Sequence, residues 1–264
     1  MLSKLYPHPF DEFISFEERR HIYTYIPLGM ELPSVTTIIH RYFPKFDANN
    51  VISKMMNSPK WPKSPYYGMT REAIKQQWEV NRKEAAEAGT GMHKSIEDYF
   101  NNKLQVVPNT YEFGLFLDFW SKFSQTNEKF KPYRTEWIVY SVSLNIAGSI
   151  DFVLSNDSGD LILMDWKRSK EIKHSNRFQK GLSPIESLDD CNYNHYCLQL
   201  NTYRYIIERE YNKNVLAMFI VVFHPNLSEC NFINVVRDDT HVTRIFSDHI
   251  SKRAQNSLVI SINS

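Results

Sequence analysis

Glycine is scarce in this sequence: 8 residues in 264, against 17 phenylalanines and 15 tyrosines. Disordered chains are poor in aromatics, so this balance excludes long disordered tracts and predicts a packed core. Cysteine is scarcer still. The three present, Cys191, Cys197 and Cys230, form no C-x-x-C pair, which argues against a disulfide scaffold and fits a reducing compartment. Net charge is only +1, so no global field attracts a polyanion, and any surface for nucleic acid has to be a local patch. No apolar run reaches the roughly 18 residues of a membrane span. There is no internal repeat or low-complexity tract, and no G-x-x-x-x-G-K-[ST] loop of an NTP-driven motor. The opening MLSKLYPHPFDEF has neither the apolar stretch of a secretory signal nor the arginines of a transit peptide. These absences predict a soluble intracellular protein, not secreted, in the cytoplasm or in a nucleoid or viral replication compartment. A mitochondrial location stays open.

What is present changes character along the chain. Residues 33–60 read as short helices broken by prolines, with Ser34 as an N-cap. SPKWPKSPYYG, 58–68, is a proline-rich loop carrying Trp61 and Lys63. A strong helix-forming stretch runs from residue 70 to 88. Gly89-Thr90-Gly91 is expected to interrupt it before a second helix, and a third covers 109–128. From Arg134 the composition turns to β-branched and aromatic residues. TEWIVYSV and LNIAGSIDFVLS read as a hairpin turning near Ser143. NDSGD then leads into the apolar strand LILMDW. A helix over 195–211, a buried strand over 215–223, an edge strand at CNFINVV and a helix near 238–255 complete the pattern. The order predicts a single α/β domain, with an α-rich region over 1–130 and a mixed core, a central sheet flanked by helices, over 131–264.

Two strands of that core carry unexpected charge. Side chains alternate along a strand, so Asp165 and Lys167 share a face with Trp166 opposite, and Asp151 lies near the end of the neighbouring strand. Two carboxylates that close repel each other unless a cation lies between them, and a hard divalent ion suits such a pair. Lys167 beside them is placed to orient or deprotonate a water and to offset charge on a phosphate. Two helical pairs face the same way by spacing: His93 with Glu97, and Gln199 with Tyr203, each four residues apart.

In chain order, GTGMH (89–93) with Glu97, Glu136 in TEWIV, GSID (148–151), MDWK (164–167) and QLNTY (199–203) resemble the RecB-like branch of the PD-(D/E)XK nucleases. The MDWK strand, the GTGMH helix and PSVTTII (33–39) are most similar to the mitochondrial genome maintenance exonuclease group and related phage and large-DNA-virus nucleases. The resemblance implies a restriction-endonuclease-like fold with Mg²⁺ or Mn²⁺ as cofactor. It implies His93, Asp151, Asp165 and the Trp166 carbonyl as metal ligands and Lys167 as the catalytic lysine. Gln199 and Tyr203 would steady the site, and Glu136, Thr90 and Glu97 would support the ligands from behind. Some relatives hold an iron–sulfur cluster with four cysteines. With three here, and none before Cys191, no cluster is expected.

The basic run KRSKEIKHSNRFQKG, with Arg168, Lys170, Lys173 and Arg177, and the Trp61–Lys63 loop are candidate contacts for a phosphate backbone. The implied activity is a metal-dependent deoxyribonuclease, favoured as an exonuclease on single-stranded or frayed DNA ends. A structure-selective endonuclease, or a nucleic-acid-binding subunit with replication or recombination partners, stays open as an alternative.

Overall fold

A computed structural model describes residues 1–262 of the chain, with side chains through Gln255. The chain divides into two compact units, Met1–Pro44 with His93–Ser264, and Lys45–Met92.

The larger unit opens with a one-turn helix, α1 (Leu2–Leu5), and a small antiparallel sheet of β1 (Ile14–Glu17), β2 (Ile22–Tyr25) and β3 (Met30–Leu32). These strands of three or four residues are too short for an alternating pattern to stand out, and the sequence reading passed over them. Helix α2 (Val35–His40) follows, with Ser34 as its N-cap: the Ser34 hydroxyl accepts the Thr37 N–H at 3.0 Å.

The smaller unit holds α3 (Ala48–Met56), capped by Asp47, and a 3-10 turn at Trp61–Lys63. It also holds the first part of α4 (Arg71–Phe100), and His93 is the first α4 residue that belongs to the larger unit. The Gly89-Thr90-Gly91 interruption is not found. Helix α4 is unbroken, because a mid-helix glycine costs only about 1 kcal/mol relative to alanine and the alanine- and glutamate-rich turns around it carry that cost.

After α5 (Tyr111–Thr126) comes the main sheet, in the spatial order β4 (Lys131–Ser141), β5 (Ile146–Ser155), β6 (Leu161–Lys167), β7 (Val215–Val222) and β8 (Asn231–Asn234). All neighbours are antiparallel except β6 and β7. That parallel pair needs a crossover, supplied by α6 (Asn192–Glu210), and α7 (Asp239–Ile262) closes the fold. The expected mixed sheet flanked by helices is therefore present.

Each face of the sheet has its own filling. On one, Phe116 and Phe119 of α5 meet Trp166 and Phe223 edge-on, and Phe100 stacks on Phe152 with centroids 4.1 Å apart. On the other, Leu163 and Val153 belong to an aliphatic core with Val35 and Ile38 of α2, Leu198 and Ile206 of α6, and Ile245 of α7. Each such side chain contributes roughly 1.5–3 kcal/mol when fully buried.

One irregularity positions everything that follows. The β5–β6 ladder covers only Phe152–Ser155 against Leu161–Met164. Below it the two strands part, and the freed edge of β5 is met at Ala147 by Pro33 and Ser34, whose segment runs parallel to it. Tyr203 packs over this stretch. A Cβ added at Gly148 would lie 2.7 Å from Tyr203 Cε1 and 3.1 Å from Val35 Cγ2. Neither neighbour can yield, since both are buried. Gly148→Ala is therefore expected to destabilise the protein by about 1–3 kcal/mol through overpacking, read as a fall of several degrees in Tm. An unchanged melting temperature would contradict this packing.

Candidate active site

Where β5 and β6 part, Asp151 bridges the gap. Its Oδ2 accepts the Trp166 N–H at 2.7 Å. A strand residue turns its N–H and C=O to the same edge, so the Trp166 carbonyl also faces the Asp151 side. Asp165 and Lys167 emerge from the opposite face of β6 to the buried Trp166 ring, and Lys167 Nζ lies 2.5 Å from Asp165 Oδ2. From α4, His93 Nδ1 comes to 3.7 Å from Asp151 Oδ2 and 4.0 Å from Glu136 Oε1.

His93, Glu136 and Asp151 each offer a ligand atom, and all three lie within 4.8 Å of one another. Glu136 was expected behind His93 and Asp151; its carboxylate lies beside them, close enough to share an ion with them. Its backbone explains how. Glu136 has φ +45° in the middle of β4, a left-handed conformation that costs a non-glycine residue roughly 1–3 kcal/mol and is kept only where the surroundings enforce it. The Ser149 hydroxyl donates to Glu136 Oε2 at 2.8 Å and holds the carboxylate over the gap. Asp165, expected as a direct ligand, stands beside this group with its carboxylate against Lys167.

The electrostatics follow from three carboxylates around two cations. Burial pushes Asp151 up to about 7; Asp165 and Glu136 add to that, while His93 and Lys167 oppose it. Burial would lower the His93 ring, but the charge of Asp151 and the hydrogen bond to Glu136 outweigh it and lift it to about 9. The His93–Asp151 attraction thus favours both charged forms, yet Asp151 still ends high because desolvation and the acids Asp165 and Glu136 outweigh His93 and Lys167. An imidazole and carboxylates crowded this way suit a divalent cation, which would relieve the repulsion.

Lys167 is held above the ordinary lysine range, since Asp165 and Asp151 outweigh its burial. Its carboxylate neighbours thus favour the charged form, which can donate but not accept a proton. Its nitrogen reaches Gln199 Oε1 at 3.5 Å, and Gln199 Nε2 donates to the Tyr203 hydroxyl at 3.3 Å. The expected Gln199–Tyr203 pair therefore meets the lysine. Tyr196, which the sequence reading missed, puts its ring 4.7 Å from Lys167 Nζ. Its spacing of three from Gln199 was the available signal.

Other expected residues lie elsewhere. Glu97 gives its carboxylate to Lys94 at 3.0 Å rather than to His93, the usual fate of an acid beside a lysine on one helix face. Thr90, on the part of α4 within the smaller unit, is exposed, as is Lys63 of that unit's 3-10 turn, while Trp61 is half-buried, its ring 5.9 Å from that of Tyr67. Arg168 Nε donates to Glu112 Oε1 at 2.6 Å, and that glutamate is buried. Lys170, Lys173 and Arg177 are exposed on the loop after β6. Among the described residues no helix is long and apolar enough to cross a membrane.

A family model described as the PD-(D/E)XK nuclease superfamily matches residues 37–260. No curated protein matches the sequence. Among solved structures, the chain is similar to a candidate exonuclease from Eubacterium rectale, at 11% identity and TM-score 0.40, over 63% of this chain and 65% of that one. It is also similar to the protein SSO0001, at 17% identity and TM-score 0.26, over 52% of this chain and 57% of that one. The matched region thus spans less than two thirds of either solved chain. The family match begins in α2, ends in α7 and takes in every strand of the main sheet, and the chain belongs to the PD-(D/E)XK nuclease superfamily.

Proposed function

We propose that this chain is one nuclease domain of the RecB-like branch that hydrolyses phosphodiester bonds in DNA with the help of Mg²⁺ or Mn²⁺. The observation that carries the reading is the convergence of His93, Glu136 and Asp151 within 4.8 Å, beside the Asp165–Lys167 pair. His93 and Asp151 would hold the ion, with Glu136, Asp165 and the Trp166 carbonyl as the remaining oxygen donors nearby. A nitrogen ligand suits Mn²⁺ at least as well as Mg²⁺.

When bound, the ion supplies Lewis-acid polarisation of the phosphoryl group and eases deprotonation of water. The chain's own residues do the rest. The Lys167 ammonium donates to a phosphate oxygen and offsets charge gathering on phosphorus. Gln199 and the Tyr196 ring fix its direction, and Tyr203 fixes Gln199. The exonuclease preference, acting on single-stranded or frayed ends, rests on the similarity of the GTGMH helix and the MDWK strand to the mitochondrial genome maintenance exonuclease group.

Linear and circular single-stranded DNA, each with and without Mg²⁺, test this reading. The wild-type protein should degrade linear strands only with metal and leave circles intact. Lys167→Ala should lower kcat by about 10²–10³, the order for losing one charge-stabilising donor. Cutting of circles would turn the reading to an endonuclease. Tight binding with no metal-dependent cleavage would turn it to an accessory subunit.

Metal binding should also release protons. With His93 lifted to about 9 and Asp151 to about 7, the free site near pH 7.5 carries a proton on His93 that a ligand imidazole has to lose. Rising pH removes that competitor, so affinity should grow between pH 6 and 9 and flatten above. Calorimetric titration of Mn²⁺ in buffers of different ionisation enthalpy reads the proton count. An affinity independent of pH would contradict this assignment.

A further inference from the structure

Phe178 is the most exposed large hydrophobic side chain among the described residues, at 95%. A single exposed apolar residue needs no explanation by itself, but three observations give this one a setting.

The backbone beneath it is fastened. Asn176 Oδ1 accepts the N–H groups of Phe178 at 3.0 Å and Gln179 at 3.3 Å, an Asx turn that fixes the chain at that point. Asn176 is itself anchored, donating from its N–H to Asp189 Oδ2 and from its amide to the Asp190 carbonyl. The base of the loop is closed by a Lys180–Asp189 ion pair at 2.9 Å. The backbone that bears the ring is held in a frame.

It is also one wall of a cleft of about 610 Å³ lined by Lys173, Ser175, Asn176, Arg177 and Asn192. Lys173 and Arg177 are exposed and enter no ion pair among the described residues. The one carboxylate on the cleft, Asp190, is taken by His195 at 2.8 Å. The cleft therefore offers an aromatic face beside two uncommitted positive charges.

Its position is the third observation. The Lys173 N–H donates to Asn192 Oδ1 at 2.8 Å and its carbonyl accepts the Tyr193 N–H, tying the loop to the first turn of α6. Tyr196, about one turn or 5.4 Å further along the helix, carries the ring that touches Lys167.

We propose that Phe178, with Lys173 and Arg177, forms a base-stacking subsite for a single-stranded segment of DNA adjoining the bond that is cut. This rests on the nuclease reading above and adds a discriminating element to it. Any unpaired base can stack on an aromatic face while lysine and arginine meet the neighbouring phosphates; a base inside a duplex is already stacked and has no free face to offer.

Binding of a fluorescein-labelled oligothymidylate, followed by anisotropy at one fixed salt concentration and without added metal, tests the subsite. Phe178→Ala should raise Kd about tenfold, the order expected for one lost stack. Phe178→Trp should keep wild-type affinity, and a duplex of the same length should be bound equally by all three proteins. Equal affinity of the alanine variant and the wild type for the single strand, or no binding by either, would overturn the subsite. Adding Mg²⁺ to the wild-type sample separates the two ideas: absence of hydrolysis there would overturn the nuclease reading whatever the binding result.

Discussion

The parting of β5 from β6 beyond Phe152 and Met164 is the constraint on which the site depends. In a continuous ladder the Trp166 N–H would pair with backbone. Here it has only the Asp151 carboxylate, and that bond draws Asp151 into the gap, where it is largely shielded from solvent. A buried carboxylate is unfavourable unless cations surround it. The fold brings an imidazole from α4 and an ammonium from β6, and adds two more acids in Glu136 and Asp165. The excess of acid over base is what a metal ion would balance.

Burial on both sides of the sheet makes this arrangement rigid. The aromatic layer of Phe116, Phe119, Phe152 and Trp166 fixes β6 from one face, so Asp165 and Lys167 are presented on the other. Tyr203 closes over Gly148, and its hydroxyl, through Gln199, sets the direction of Lys167. A lysine so embraced by carboxylates stays charged, which suits charge offset better than proton abstraction. The left-handed backbone at Glu136 is the remaining cost, and it accompanies a third carboxylate able to share an ion with His93 and Asp151.

Much of this was legible in the sequence because it rests on short-range periodicity. The spacing of two between Asp165 and Lys167 and of four between Gln199 and Tyr203 fixed which side chains share a face, and the core strands and helices followed from runs of β-branched, aromatic or helix-forming residues. What was not legible depends on three-dimensional pairing. Nothing local marks Glu136 as a left-handed residue, Glu112 as the partner of Arg168, or Lys94 as the partner of Glu97. The small sheet of β1 to β3 was missed because four-residue strands carry too little pattern. The helix break at Gly89 was expected from propensity alone, and the rest of α4 overrode it.

Anomalous diffraction from crystals soaked in Mn²⁺ tests the central claim most directly. The account predicts one peak bounded by the His93 imidazole and the carboxylates of Asp151 and Glu136, within coordination distance of His93 and Asp151. A peak held only by other carboxylates, or none at a concentration that supports DNA cleavage, would contradict it.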